Sequence, residues 1–397
     1  MGITPGPLIR AVPRLGLALA SAAIVPLERA LAAAQVEGWS AVLDLSVGGE
    51  ADTDIWFSRT TDLAVGCDGR IYVLDSGVRM VHVFDDGGRS IGSIGRHGGG
   101  PGEFEIPSAV GWHGDTLWVS DRRLFRLSLF TPDGQFITAR NTYWAPGGQD
   151  VPVSVHALLA DGTLLGMPRG KPGPGDSYPS RVPLLRLAAD ADVVDTLAVL
   201  SNENSVLDIR YRGARYFRDQ PFADGDLWGI STDGGAIVIV HRSAARHGGE
   251  LQFQVTRLTA GGDTIFRKRY GYQRDRVADH EIESAISTIS SRLVRMFPSE
   301  DAAKRAVQAA LYIPAYRPPV TAVVAGRDGT TWLRRDVRVD SDCVVWMALD
   351  ERGNAIGEIQ LNTGIRILEA DREFIWGTGT TSLGTPYVVR YRLTRGH

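Results

Sequence analysis

The residues of this 397-residue chain that could do chemistry are few and widely spaced. Eight histidines occur with no His-Glu-x-x-His and no close ligand spacing of the kind that holds zinc. Arg210, Tyr211, Arg212, Arg215, Tyr216, Phe217 and Arg218 set four guanidinium groups among aromatic rings, a chemistry that grips a carboxylate, a sulfated glycan or an acidic partner. Lys171, Lys268 and Lys304 are the only lysines, so arginine is favoured throughout and a solvated loop is the plainer reading of that segment. The run Gly95-Arg96-His97-Gly98-Gly99-Gly100-Pro101-Gly102 invites a phosphate-cradle reading. It lacks the Gly-Lys-Ser/Thr ending and sits between strands, so its glycines are expected to allow a tight crossing while Phe104 wedges between neighbouring units. Asp75 and Asp121 recur at equivalent places, which points to carboxylates accepting backbone N–H bonds in their own turns.

The elements that must position these residues follow from a repeat. Asp62 to Asp75 and Met80 to Ile91 return about 45 residues later, with Gly69 matching Gly114, Asp75 matching Asp121, and Phe84 and Gly88 matching Phe130 and Gly134. Each unit holds four short alternating or apolar runs punctuated by Asp-Gly turns, and Gly makes up 46 residues, as many tight turns require. Weaker copies begin at Asp161, Asp233, Asp328 and Asp371, giving six units. The period and strand count predict an all-β, six-bladed β-propeller. Two intervals carry surplus, 201–222 and 272–317. In the second, Ile282, Ile286, Ile289, Leu293 and Met296 recur at helical spacing, and Pro298-Ser299-Glu300-Asp301 reads as a stop followed by an N-cap. A helical insertion is therefore placed between blades four and five. The run from Trp39 to Val47 is expected to complete blade six and close the ring, removing a free sheet edge.

Residues 1–34 order charge, apolar run and small residues as a secretory signal peptide does, leaving 35–397 as the propeller in the periplasm or outside the cell. Thirteen apolar residues broken by Pro26 fall short of the ~20 that span a membrane. A formal charge of −3 supplies no field for nucleic acid. Cys67 and Cys343 fall in non-neighbouring blades and on opposite faces, and are expected to be unpaired and buried.

The string Asp-Gly-x-Ile-Tyr-Val-x-Asp, then Val-x-Val-Phe, with the Gly95 to Phe104 linker, resembles the NHL-repeat-like six-bladed β-propeller superfamily, in particular its uncharacterised exported bacterial members. The resemblance is close over 62–140 and looser to 393. Members of that superfamily serve as interaction platforms, sensors, lyases and lactone hydrolases, so the resemblance implies the fold and leaves the activity open. It also admits an axial zinc held by His97, His156 and His280, as in its lyases. Its hydrolase branch uses an axial calcium, for which no matching Glu, Asn and Asp set is evident here. The expectation is a monomeric, non-catalytic propeller without cofactor that recognises a small molecule, glycan or protein, with a metal-dependent lyase or hydrolase as the alternative. Both insertions join the outer strand of one blade to the inner strand of the next, so both should rim one mouth. Arg96, His97, His156, Arg215, Tyr216, Arg218, Tyr316 and Arg317 are the expected ligand-facing residues.

Overall fold

The computed structural model describes residues 24–25 and 38–395, apart from 50–54, 143–152, 169–178, 189–192, 243–250, 274 and 336–342. The Asp-Gly punctuation does what its chemistry requires. Gly69, Gly162, Gly234 and Gly329 adopt φ between 68° and 92°, which a side chain resists, and each closes the turn between the first two strands of a blade. Ahead of each sits an Asp whose carboxylate accepts the amide two residues on, from Arg70, Thr163, Gly235 and Thr330.

These turns fold the chain into six antiparallel blades of four strands. Blade one is Thr60–Val65, Ile71–Asp75, Met80–Phe84 and Ser90–Ile94; blade two is Pro107–His113, Thr116–Asp121, Arg126–Phe130 and Phe136–Asn141. Blade three is Val153–Leu158, Leu164–Pro168, Arg181–Leu187 and Val193–Ser201; blade four is Leu227–Ile230, Ala236–His241, Leu251–Thr259 and Thr264–Tyr272. Blade five is Val320–Ala325, Thr331–Arg335, Cys343–Leu349 and Ala355–Asn362. Blade six takes Arg366–Ala370, Phe374–Thr380 and Pro386–Arg395 from the end of the chain and its fourth strand, Trp39–Gly48, from near the beginning. The two segments pair antiparallel from Trp39 opposite Arg395 to Gly48 opposite Tyr387, so the ring closes as expected.

Ile24–Val25, inside the expected signal segment, pairs in parallel with Arg269 and Tyr270 on the outer strand of blade four. The remainder of that segment, 1–23 and 26–34, lies outside the described residues.

The core lies between the blades. Ala64, Tyr72, Val81, Phe104, Val110, Leu117 and Phe130 form one buried cluster across blades one and two. Phe104 is fully buried and meets Phe130 edge-on at 5.9 Å, which is the wedge role read from the glycine-rich linker. Gly95 is what admits it: a Cβ there would fall 2.1 Å from the Phe104 ring.

The Arg-rich segment 210–218, expected as a solvated loop, lies instead in a hairpin of Val206–Tyr211 paired with Ala214–Asp219. Its alternation buries Leu207 and Ile209 on one face, the period-2 signal that its arginines obscured. Between blade strands Thr264–Tyr272 and Val320–Ala325 stand two helices, α1 (Asp279–Leu293) and α2 (Glu300–Ala310). The Ser299 hydroxyl caps α2 by accepting the Ala302 amide, as the sequence indicates. Met296 departs from the expected apolar stripe. A single 3-10 turn, Val294–Met296, ends α1 and swings Met296 outward to 47% exposure. Cys67 and Cys343 form no disulfide, as expected, but both are exposed rather than buried. Cys67 sits in a hairpin turn and Cys343 at the start of a strand, so neither side chain faces the inter-blade core.

Two outcomes follow from this packing. Trp39 is 6% exposed and meets Trp332 of blade five edge-on at 5.8 Å. Trp39→Ala should therefore lower stability by about 3–5 kcal/mol in urea unfolding, and a loss below about 1 kcal/mol would show that the closing strand carries little of the fold. A maleimide added to native protein should modify both cysteines without denaturant; protection of either thiol would contradict its exposure.

Candidate functional site

In a four-stranded meander the second-to-third strand turns share a face with the connections between blades, and the carboxylates of the second strands tie these together. Asp75 accepts the amides of Gly77 and Val78 in its turn and of Ser58 and Arg59 in the incoming connection, at 2.6–3.3 Å. Asp121 does the same for Arg123, Leu124, Glu105 and Ile106. The turn role expected of both is thus met, and each also fastens the connection from the preceding blade.

The opposite face is closed by backbone contacts around the axis. The Trp112 amide of blade two donates to the Thr232 carbonyl of blade four at 2.7 Å, and the Ala160 amide of blade three donates to Gly234 at 3.1 Å. At this end Glu369, on the inner strand of blade six, is buried. Its carboxylate accepts the Val65 amide of blade one at 3.0 Å and pairs with the Arg327 guanidinium of blade five at 2.8 Å. Burial pushes the Glu369 carboxyl up to about 7, outweighing the opposing pull of Arg327 and of the Val65 amide; Asp371 adds a like charge. Asp62 of blade one reaches the Val110 amide of blade two in the same manner, at 3.0 Å. Sequence reading missed both. The signal was an acidic residue beside the apolar run of an inner strand, Asp62 before Leu63-Ala64-Val65 and Glu369 after Ile367-Leu368.

The expected ligand-facing residues scatter. Arg96 is exposed and pairs with Glu103 at 2.9 Å, and His97 lies 3.6 Å from Glu105. The Gly95–Gly102 loop presents its carbonyls, not an anion cradle: Arg126 donates to Gly99, Gly100 and Glu103 at 2.5–3.0 Å. His156 stands edge-on to Trp228 of blade four at 5.5 Å, while His280 is exposed in the first turn of α1. Among the described residues no group of three or more His, Cys, Asp or Glu is placed to hold a metal ion.

The two insertions do come together. Leu207 and Ile209 of the hairpin share a buried cluster with Leu293, Phe297, Ala303 and Val307 of the helical segment. Tyr211 and Tyr216 pack on Phe297 at 4.5 and 5.9 Å. The guanidinium groups are engaged within this unit. Arg215 and Arg210 both pair with Asp208, at 2.7 and 2.9 Å, and hold its carboxyl below its ordinary range. Arg218 donates to the Phe217 carbonyl. Arg317 is buried and pairs with Glu281 and Asp275, locking the start of α1 to the approach to blade five, next to the half-buried Tyr316. Glu281 completes the lock by accepting the Ala278 amide at 2.7 Å.

Where this unit meets the exit of blade three, an open cleft of about 460 Å³ is left. Asn202, Glu203, Asn204 and Ser205 form one wall; Gln220 and the end of α2 through Tyr312 form the other. Gln220 ties the walls together: its side chain donates to the Ala310 carbonyl at 3.1 Å and accepts the Tyr312 amide at 3.2 Å, while its backbone amide donates to the Ser205 carbonyl of the facing wall at 3.2 Å. The Tyr312 hydroxyl donates to Asp224 at 2.7 Å, and burial with that bond pushes its pKa up to about 12. None of these wall residues belonged to the expected set, because the cleft exists only once hairpin, helix and blade meet.

Residues 64–110 match a family model described as 6-bladed beta-propeller. No curated protein matches the chain. Among solved structures, a DUF4221-family member from Bacteroides vulgatus is similar with a TM-score of 0.50 at 9% identity, over 91% of this chain and 100% of that one. A candidate exported protein of Bacteroides fragilis gives 0.45 at 10% identity, over 91% and 96%. Virginiamycin B lyase from Staphylococcus aureus gives 0.40 at 12% identity, over 85% and 97%.

The buried Glu369 predicts a pH dependence. The folded protein keeps its proton up to about 7, whereas an unfolded carboxyl releases it near 4.5. The native state therefore binds more protons across that window, and stability falls as pH rises from 4.5 to 7, by a total on the order of 3 kcal/mol. Glu369→Gln should flatten that slope in urea titrations at stepped pH; an unchanged slope would assign it to other groups. The sheets, their closure and the family match together make the chain a six-bladed β-propeller.

Proposed function

We propose that this propeller is a non-catalytic recognition protein acting outside the cytoplasm, with its binding face on the side that carries the hairpin and the helical pair. One observation carries the reading: two insertions from separate connections fuse into a single unit with its own apolar core, and that unit leaves an open polar cleft against blade three. Loops raised on a rigid ring are a common way to build a binding surface. The cleft volume lies within the ~300–1,000 Å³ of small-ligand sites. The order of charge, apolar run and small residues in 1–34 supports export. No described helix is long and apolar enough to cross a membrane.

A thermal-shift screen of polar small molecules tests the proposal. Compounds that raise the melting temperature of the native protein should lose that effect in Glu203→Arg, which places a bulky cation at the cleft, and should keep it after treatment with EDTA. Hits that need a divalent ion and are chemically altered on incubation would instead support the axial-metal enzyme.

A further inference from the structure

We infer that the cleft between the hairpin, α2 and blade three takes an uncharged polyhydroxyl ligand, a saccharide. This rests on the recognition reading above and specifies what that face binds. Of eleven lining residues only Val206, Ala310 and Leu311 are apolar, and none is Lys, Arg or His. A site for a hydrophobic cofactor would be walled mainly by apolar side chains. A site for phosphate, sulfate or a carboxylate ligand would present cations or a helix N-terminus. This cleft does the reverse: α2 presents its C-terminal end, Ala310, and the nearby Arg210 and Arg215 are drawn to Asp208.

The polar groups that remain are largely acceptors with amide donors among them. Glu203 is exposed and makes no hydrogen bond or ion pair with another described residue. Asn202 uses its amide nitrogen on the Pro179 carbonyl at 3.2 Å, leaving its side-chain oxygen as an acceptor. Ser180 and Ser205 add hydroxyls that both donate and accept. Hydroxyl groups are the ligand functions that match such a wall, since each donates to a carboxylate or amide oxygen and accepts from an amide N–H. Val206 and Leu311 and the Tyr312 ring give the apolar contact that the C–H faces of a sugar ring need. The walls are pre-organised by Gln220 and by the Tyr312 bond to Asp224, so little ordering is needed on binding. At about 460 Å³ the space is in the range of small-ligand sites and exceeds what a single small ion would fill, leaving room for a short oligosaccharide.

The test is calorimetric titration of the full chain with maltotriose, with N-acetylated chitotriose, with an anionic galacturonate trimer and with spermidine as the cationic probe. The expected result is binding of at least one neutral trisaccharide, weakened tenfold or more in Glu203→Ala, with no binding of the galacturonate trimer. Glu203 is exposed, so its replacement should leave the melting temperature unchanged, and Ser205→Trp, which fills the cleft, gives a second variant that should abolish binding. Neutral saccharide binding indifferent to both variants would overturn the assignment of the site. Binding only of the charged probes, lost in both variants, would overturn the ligand class while leaving the recognition reading standing. If no probe binds and the broader thermal-shift screen also finds nothing sensitive to Glu203→Arg, both readings fail.

Discussion

Everything in this structure depends on the antiparallel pairing of Trp39–Gly48 with Pro386–Arg395. A propeller blade buries both of its faces, so six blades need six interfaces, and an open ring would leave two faces and a sheet edge in water. The closing strand supplies the missing interface. Val47 joins Phe57, Leu63, Ile71, Trp376 and Val388 in one buried cluster across blades six and one, while Trp39 packs into blade five. Arg390 stitches the seam electrostatically, pairing with Asp44 of the closing strand and Asp86 of blade one while its guanidinium lies over Phe374 and Trp376 at 5.1 and 5.0 Å. A few strand pairs thus hold residues more than three hundred positions apart.

Buried charge is distributed around the same ring. The buried Glu369, Arg242 and Arg257, and the half-buried Asp62, each satisfy backbone groups of a neighbouring blade, so a polar side chain replaces a hydrogen bond that adjacent inner strands cannot make to one another. Arginine serves this purpose well because its fixed fork of donors can hold several carbonyls at once. Arg242 and Arg257 use their guanidinium groups in this way inside the ring. The hairpin's Arg210 and Arg215 are drawn to Asp208, which turns attention to the acceptor-rich cleft beside it.

The fold was legible because its signals are local. Asp-Gly turns, period-2 strands and a repeat of about 45 residues are all properties of short stretches, and they recur. Trp39 to Val47 could be assigned to blade six because the last unit lacked a strand and the first had one to spare. The Ser299 cap was legible for the same reason. The hairpin at 206–219 was missed because its arginines mask an alternation that becomes clear only when Leu207 and Ile209 meet α2. Met296 was misassigned because one 3-10 turn shifts the phase of a helical stripe.

The sequence by itself therefore determined the blade count and the seam, since both follow from spacing along the chain. Only the tertiary structure decided which side chains meet. Asp208 with Arg215, Arg317 with Glu281, Glu369 with Arg327, and Gln220 with the end of α2 are separated by anything from seven to ninety residues. No periodicity encodes such pairs; they arise when hydrophobic faces dock and bring unrelated polar groups into one place. The cleft belongs to this second kind of information, because its walls come from three elements and exist only where those elements touch.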